Sequence, residues 1–442
     1  MKRFTILSAA AMVSAVMATA QINSTTTDGY MARGLAMLSS GNYNGCIDQL
    51  GRVDRSTLSA AELEQVDWAL AEAAFGNGGA SALPHFKRFL AVYPYSQLRA
   101  QAQMRVGDCL FTRSYPEALK AYLEVPGGAL NADLREDLDY RTAYCMLQTA
   151  DFDGAAARFA ALGHTRRYGP AARFYTAYIA YARGNYAEAA RLFAAADSNT
   201  EPGCMSPYYL AQIYYRQEDF GKSLAEAQRL LKRRTAPEAF KAEAERIAGE
   251  SLYRLGRPGE AVPYLRKYVA STAEPLPSSL YILGLSEYAD GDYSAAVSHL
   301  ESVTGESDAM AQSAYLYIGQ ALMHSGDVQP ALLAFDKAVK MDFDPEVQET
   351  AYYNYAVARM QGGRVPFGSS VETLEDFLRR YPASRHAAEV QEYIVAGYMT
   401  DNNYEKALAS IERMKRPADR VLSAKQTILY TLGSRKLAAG QA

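Results

Sequence analysis

The side chains able to do covalent or metal chemistry are few and scattered. The five histidines are His85, His164, His299, His324 and His386, and no two share a helix face at metal-ligand spacing. Cys46, Cys109, Cys145 and Cys204 are too few and too spread for a disulfide-stapled scaffold. Buried free thiols are their expected state, because cysteine packs as a small hydrophobe; one disulfide stays open in an oxidising compartment. No HExxH, GxSxG, GxxxxGK[ST] or paired CxxC motif occurs. DFDG at 151–154 has the acidic spacing that begins a calcium loop but lacks the rest of the twelve-residue pattern. We therefore expect a non-catalytic protein without metal or cofactor. What stands out is 33 tyrosines beside one tryptophan, Trp68.

The elements that position those tyrosines repeat. GNYAEAARLF at 184–193 returns as GDYSAAVSHL at 291–300, NNYEKALASI at 402–411 and GNYNGCIDQL at 41–50. The turn aromatic falls at Tyr43, Tyr115, Phe152, Tyr186, Phe220, Tyr293 and Tyr404, with weaker equivalents between, at a period of about 34–38 residues over most of the chain. Small residues pair twelve positions apart: Gly34 with Cys46, Ala143 with Ala155, Ala177 with Ala189, Ala211 with Ser223, Gly249 with Ala261, Gly284 with Ala296, Gly319 with Ala331. Between the members of each pair sits a turn, at Gly41, Ala150, Gly184, Glu218, Gly256, Gly291 and Gly326. Two short helices packed antiparallel can approach closely only where both carry a small residue. Glycine at the turn supplies the left-handed backbone that ends the first helix, and the aromatic begins the second and covers the crossing.

This pattern resembles the tetratricopeptide repeat. The resemblance implies an all-α, right-handed α-solenoid of about ten helix-turn-helix repeats over residues 30–436, closed by a capping helix at about 421–436 whose outer face is polar. Val421, Leu422, Ile428, Leu429 and Leu432 would supply that cap's apolar side. Departures occur at RSYPEA (113–118), which lacks the turn glycine, at GNGGASALP (76–84), which has lost the aromatic, and at QGGRVPFGSS (361–370), read as a tolerated loop insertion. FLAVYPYS at 89–96 and FLRRYPAS at 377–384 close a second helix. That phrase is similar to one in periplasmic tetratricopeptide proteins of the bacterial envelope, of the barrel-assembly lipoprotein and Tol–Pal coordinator types.

First helices of this family line the concave face. Tyr181, Tyr215, Tyr253 and Tyr288 lie four residues beyond the small crossing position, Phe174, Tyr208 and Tyr281 three before it, and Tyr178 one after it. These rings either form an aromatic groove for a peptide or fill space between helices, since a residue four past the crossing shares its stripe. The family's basic and amide clamp for a terminal carboxylate is not matched. Its positions hold Phe174, Tyr178, Tyr208, Gln212, Arg246, Glu250, Tyr281, Leu285, Leu316 and Gln320, of which Arg246 alone is basic.

Residues 1–20 read as a secretory signal: Lys2 and Arg3, an apolar run from Phe4 to Met17, and the small-x-small site Ala18-Thr19-Ala20. The run is too short for a stable membrane span. A short linker, 21–29, follows, and we expect no integral membrane segment after cleavage. Losing Lys2 and Arg3 leaves 44 basic against 49 acidic residues, a net charge of −5 rather than −3. Without a long basic block, nucleic acid is not an expected partner.

The sequence thus reads as a secreted, periplasmic scaffold or adaptor of a Gram-negative envelope, holding an unidentified envelope protein or peptide in its groove. The alternative is a glycan-capture protein related to the outer-membrane starch-binding family. The lone Trp68, the missing lipid cysteine and the unbroken register stand against it. If the register is right, Ala177→Leu overpacks a crossing and destabilises the fold by about 1–3 kcal/mol. Thermal or urea unfolding reads this, and an unchanged midpoint would refute the register.

Overall fold

The computed structural model describes residues 26–196, 200–234, 236–361, 370–414 and 417–439. Residues 1–20, read from sequence as a secretory signal, most of the expected linker 21–29 and the body of the 361–370 insertion lie outside them. All regular structure among the described residues is helical, with 23 α-helices, short 3-10 turns and no strand. The helices form two compact units that part between Ser206 and Pro207.

The first unit holds α1 (Thr27–Ser39), α2 (Tyr43–Gly51), α3 (Ala60–Gly78), α4 (Leu83–Val92), α5 (Arg99–Leu110), α6 (Tyr115–Leu123), α7 (Ala132–Gln148), α8 (Phe152–Leu162), α9 (Gly169–Ala182) and α10 (Tyr186–Ala195). The second begins with α11 (Ser206–Arg216), which opens at the boundary. It continues through α12 (Phe220–Leu231), α13 (Glu238–Arg254), α14 (Pro258–Ser271), α15 (Pro277–Asp290), α16 (Tyr293–Glu301) and α17 (Ala309–Ser325). Then come α18 (Val328–Lys340), α19 (Pro345–Gln361), α20 (Ser370–Arg380), α21 (Ala387–Thr400), α22 (Tyr404–Arg413) and α23 (Asp419–Ala438). Within each unit successive helices pack on one another. First helices also meet the next first helix: α1 with α3, α13 with α15, α15 with α17, α17 with α19, α21 with α23. Stacked helix pairs of this kind make an α-solenoid.

The seven turn positions read from sequence all take the left-handed backbone. Gly41, Gly184, Gly256, Gly291 and Gly326 have φ of 73–88°. Ala150 (62°), Glu218 (60°) and Asn402 (55°) adopt it without glycine's freedom, at a cost of about 1–2 kcal/mol each. The residue after the turn does a job that the sequence reading did not assign. Asn42, Asp151, Asn185, Asp219, Asp292 and Asn403 cap the second helix, accepting from the backbone N–H of Gly45, Gly154, Glu188, Lys222, Ala295 and Lys406. Such a cap contributes about 1 kcal/mol.

The small pairs do meet. A Cβ built on Gly249 would lie 2.5 Å from the Leu265 side chain and 3.3 Å from the Ala261 carbonyl; on Gly284 it would lie 2.6 Å from Leu300 and 3.3 Å from the Ala296 carbonyl. Ser223 donates its hydroxyl to the Ala211 carbonyl at 2.9 Å. Ala177 and Ala189 are fully buried. The turn aromatic meets the ring five residues before it: Tyr186 on Tyr181, Phe220 on Tyr215 and Tyr293 on Tyr288, with centroids 5.5–5.6 Å apart. In the recurring F-L-x-x-Y-P-x-S phrase, Phe89 and Phe377 anchor in the core. Ser96 accepts from the Leu98 N–H at 2.9 Å and Ser384 from the His386 N–H at 3.0 Å, so the phrase is an anchor followed by a turn. All four cysteines are free thiols. Burial pushes Cys46 up to about 11 and Cys109 and Cys145 up to about 12, so these three stay protonated.

One expectation is corrected. The last helix does not turn Leu422 and Leu429 inward. It buries Val421 and Ile428 and leaves Leu422 44% and Leu429 48% exposed, beside Tyr430 at 79% and Leu437 at 72%. Its sequence carries two apolar stripes, and only one faces the core.

Glu287 joins three helices of the second unit. It is fully buried and accepts from Arg266 of α14 and His299 of α16, each at 2.7 Å. The hydrogen bond that His299 donates to Glu287 holds the His299 pKa above its ordinary 6.5. Folding therefore gains from the charged imidazole below pH 6.5 and loses that gain as pH rises through the raised folded value. We predict that His299→Gln removes a fall in melting temperature seen between about pH 6 and 8. An unaltered pH profile would refute the assignment.

Candidate functional site

In the second unit the first helices bring the predicted rings into two groups. The first centres on a buried carboxylate. Tyr215 of α11 donates its hydroxyl to Glu250 of α13 at 2.6 Å; Ser279 of α15 donates at 2.6 Å and Arg246 at 2.8 Å. Arg246 also grips Glu243 through two bonds of 2.6 and 2.8 Å. The one basic residue among the clamp positions is thus consumed within the chain. Burial, then the bond to Glu250, pushes the Tyr215 phenol up to about 12, so it serves as a neutral donor. A pocket of about 290 Å³ lined by Tyr215, Arg216, Glu218, Phe220 and Arg254 opens beside this network. Tyr208 lies edge-on to Phe240, centroids 4.8 Å apart.

The second group lies on α13, α15 and α17. Tyr253, Tyr281 and Tyr317 pack over the buried cluster of Leu285, Leu300 and Ile318. Tyr281 shares a hydrogen bond of 2.7 Å with Ser313. Tyr288 meets Tyr317 at 5.4 Å, and His324 stacks on Tyr293 at 4.6 Å and 4°. Burial raises the pKa of Tyr253, Tyr281 and Tyr288. All these tyrosines are half-buried and His324 is exposed. The patch is neutral, aromatic and edged by hydroxyls, suited to holding apolar and backbone groups without chemistry. The sequence reading did not single out Tyr317 and His324. Their signal was there, since Tyr317 lies 36 residues beyond Tyr281 and His324 the same distance beyond Tyr288.

The other predicted rings belong to the first unit. Phe174 is buried against Phe193 at 5.5 Å. Tyr178 packs over the cluster of Ala143, Phe159 and Ile179, and Tyr181 sits against Tyr186. The eight rings therefore fall as three in the first unit and five in the second.

The first unit also holds a charge ladder that the sequence reading missed. Glu72 of α3 takes two bonds from Arg105 of α5, at 2.7 and 3.1 Å. Arg105 reaches Asp108 at 3.0 Å; Asp108 also accepts from Arg141 of α7, and from Tyr122 at 2.9 Å. Asp137, four residues before Arg141, binds Arg167 at 2.5 Å and Tyr168 at 2.8 Å. Arg105, Asp108 and Asp137 are nearly fully buried. The tell-tale spacing is 33 residues, from Glu72 to Arg105 and from Asp108 to Arg141, close to one repeat. Every charge in the ladder is answered by another, so its role is to fix the register of adjacent first helices. No group of three His, Cys, Asp or Glu among the described residues is placed to hold a metal. No helix among them is long and apolar enough to cross a membrane.

Paired helices that meet at small residues, turn through left-handed positions and stack first helix on first helix define a helical-repeat protein of the α-solenoid class. A family model described as Tetratricopeptide repeat matches residues 147–202, 208–275 and 281–346. Those matched residues are tetratricopeptide repeats. The same turn geometry recurs outside the matched residues, at Gly41 and Asn402. Among solved structures, the chain is similar to the C-terminal part of a TPR repeat-containing protein from Cytophaga hutchinsonii, with 17% identity over 57% of this chain and 98% of that one, at a TM-score of 0.42. It is also similar to a tetratricopeptide repeat protein from Parabacteroides merdae, with 13% identity over 67% and 98% of the two chains and a TM-score of 0.38. A third is YrrB, described as a TPR protein with an unusual peptide-binding site, with 17% identity over 45% and 100% and a TM-score of 0.38. No curated protein sequence matches the chain.

Removing one member of the buried ladder strands the others. Asp108→Ala leaves Arg105, Arg141 and Tyr122 without their shared acceptor and should cost about 3–5 kcal/mol. Urea unfolding measures it, and a loss below about 1 kcal/mol would show that the ladder does not hold the register.

Proposed function

We propose that the protein is a non-catalytic scaffold that binds a protein segment on the aromatic face of α13, α15 and α17. The observation that carries this reading is the half-exposed group Tyr253, Tyr281, Tyr288 and Tyr317, extended by exposed His324. On the same helices Leu252, Leu283 and Ile318 are buried to within a few per cent. Tyrosine offers a bound segment a large contact area at low side-chain entropy, with a hydroxyl for its backbone. Tetratricopeptide repeats imply protein or peptide partners, which supports the same reading. The signal-like residues 1–20 and the F-L-x-x-Y-P-x-S phrase support a periplasmic site of action, as an adaptor among envelope proteins.

Tyr215 serves poorly as a probe, because its hydroxyl satisfies buried Glu250. Tyr253→Ala with Tyr317→Ala keeps that network intact. With residues 21–442 as bait on a solubilised envelope, the native chain should retain one or two proteins. The double variant should lose at least about tenfold of that retention at unchanged helicity. Equal retention by the variant would refute the aromatic face, and retention of glycans alone would favour the glycan-capture reading.

A further inference from the structure

Five residues past the crossing, in the last turn of α11, α13, α15 and α17, stand Arg216, Arg254, Ala289 and His324. The first two follow Tyr215 and Tyr253 directly, on neighbouring first helices of the second unit. Both line the pocket of about 290 Å³ whose other walls are Tyr215, Glu218 and Phe220. A helix C-terminus favours a cation, but α15 ends in Ala289 and Asp290, so the helix end alone does not dictate an arginine here.

Arg254 has no task inside the chain. It makes no ion pair or hydrogen bond with a described residue, whereas Arg246, Arg257 and Arg266 are each held by a carboxylate at 2.6–2.7 Å. Nor is it the counter-ion of buried Glu250, which Tyr215, Ser279 and Arg246 already answer. Glu218 is the one carboxylate among the lining residues; it is exposed and makes no ion pair with a described residue. Two guanidinium groups against one carboxylate leave the pocket net positive.

We infer that this pocket takes an acidic side chain of the bound segment, an Asp or Glu carboxylate gripped by Arg254 with Arg216 beside it. A guanidinium fork matches a carboxylate in shape as well as charge. These are not the positions of the family's clamp, where Arg246 is consumed by Glu243 and Glu250. Where the remainder of the segment lies rests on the aromatic-face reading. Neighbouring first helices stand about 8–10 Å apart, and an extended chain advances about 3.3 Å per residue. The acidic residue should therefore lie roughly three to six residues from the apolar side chains that meet Tyr253, Tyr281 and Tyr317.

Panning a phage-displayed random dodecapeptide library on residues 21–442 tests this. The peptides are fused through their C-termini, so only side-chain carboxylates are on offer. Enriched peptides should share an Asp or Glu at that distance from an aromatic or aliphatic residue. A synthetic copy, followed by fluorescence anisotropy, should bind at least about tenfold more weakly to Arg254→Glu and lose affinity in about 0.5 M salt. Arg254→Gln, which repels nothing, should weaken it less. Lys232→Glu, about 18 Å away at the other end of α12, should not matter. Panned on Arg254→Glu, the library should yield Lys or Arg in place of the acid. Enriched peptides without a common acid, peptides indifferent to Arg254→Glu, or no enrichment at all would overturn the inference. Acid-free peptides that still need Tyr253 and Tyr317 would leave the aromatic face standing without the pocket. Acidic peptides that need Arg254 but neither tyrosine would uphold the pocket and refute the aromatic face.

Discussion

The structure depends on two helix backbones coming so close that both crossing residues must be small, and at several crossings one of them must be glycine. At Gly284 the space for a methyl is already filled by Leu300 and bounded by the Ala296 carbonyl. Leu300 is fully buried there, a placement that contributes about 1.5–3 kcal/mol. The approach is possible only if the chain reverses at a fixed distance from the crossing. A left-handed turn residue followed by an Asn or Asp cap gives that distance. Changing the crossing residue, the turn or the cap disturbs the other two, and so the three recur together rather than singly.

Stacking one pair on the next raises a different problem, because apolar stripes alone set register loosely. The chain answers with buried polar contacts between first helices. In the first unit the ladder from Glu72 to Asp137 locks α3, α5 and α7; in the second, Glu250 takes donors from α11, α13 and α15. Removing such charges from water is costly, and the cost is recovered only when every partner is in place. A slip of one turn would strand several charges at once, so these contacts discriminate between registers more strongly than they add net stability.

What the sequence made legible follows from this division. Crossing and turn positions are local requirements on backbone space and φ, so Gly184, Gly284 and even the non-glycine Ala150 and Glu218 could be placed from spacing alone. The cap residues are equally local, since Asn42, Asp151, Asn185 and Asp219 each stand directly after the turn residue. The ladders were not legible in the same way. Asp108 beside Arg105 looks like an ordinary surface pair until its second partner, Arg141, is placed one repeat away. The last helix shows another limit. Val421, Ile428 and Leu432 form one helical stripe and Leu422, Leu429 and Leu437 another, and periodicity cannot say which meets the core. Only the position of α22 decides it.

The tyrosines belong to both accounts at once, and that is why they are so many. A tyrosine can close the gap beside a crossing with its ring and still carry a donor to a buried acceptor, as Tyr215 does for Glu250. It can also leave an edge in water, as Tyr253 and Tyr317 do. Phenylalanine would fill the same gap but leave Glu250 short of a donor; leucine would fill it with less area and nothing to offer a bound backbone. The same residue type therefore spans a gradient along the second unit. At α11 the ring is bound into the framework. By α17 it rests on the framework and faces outward. Recognition in a repeat protein of this kind needs no separate site added to the fold, only repeats in which the ring that ordinarily seals the crossing is left half uncovered.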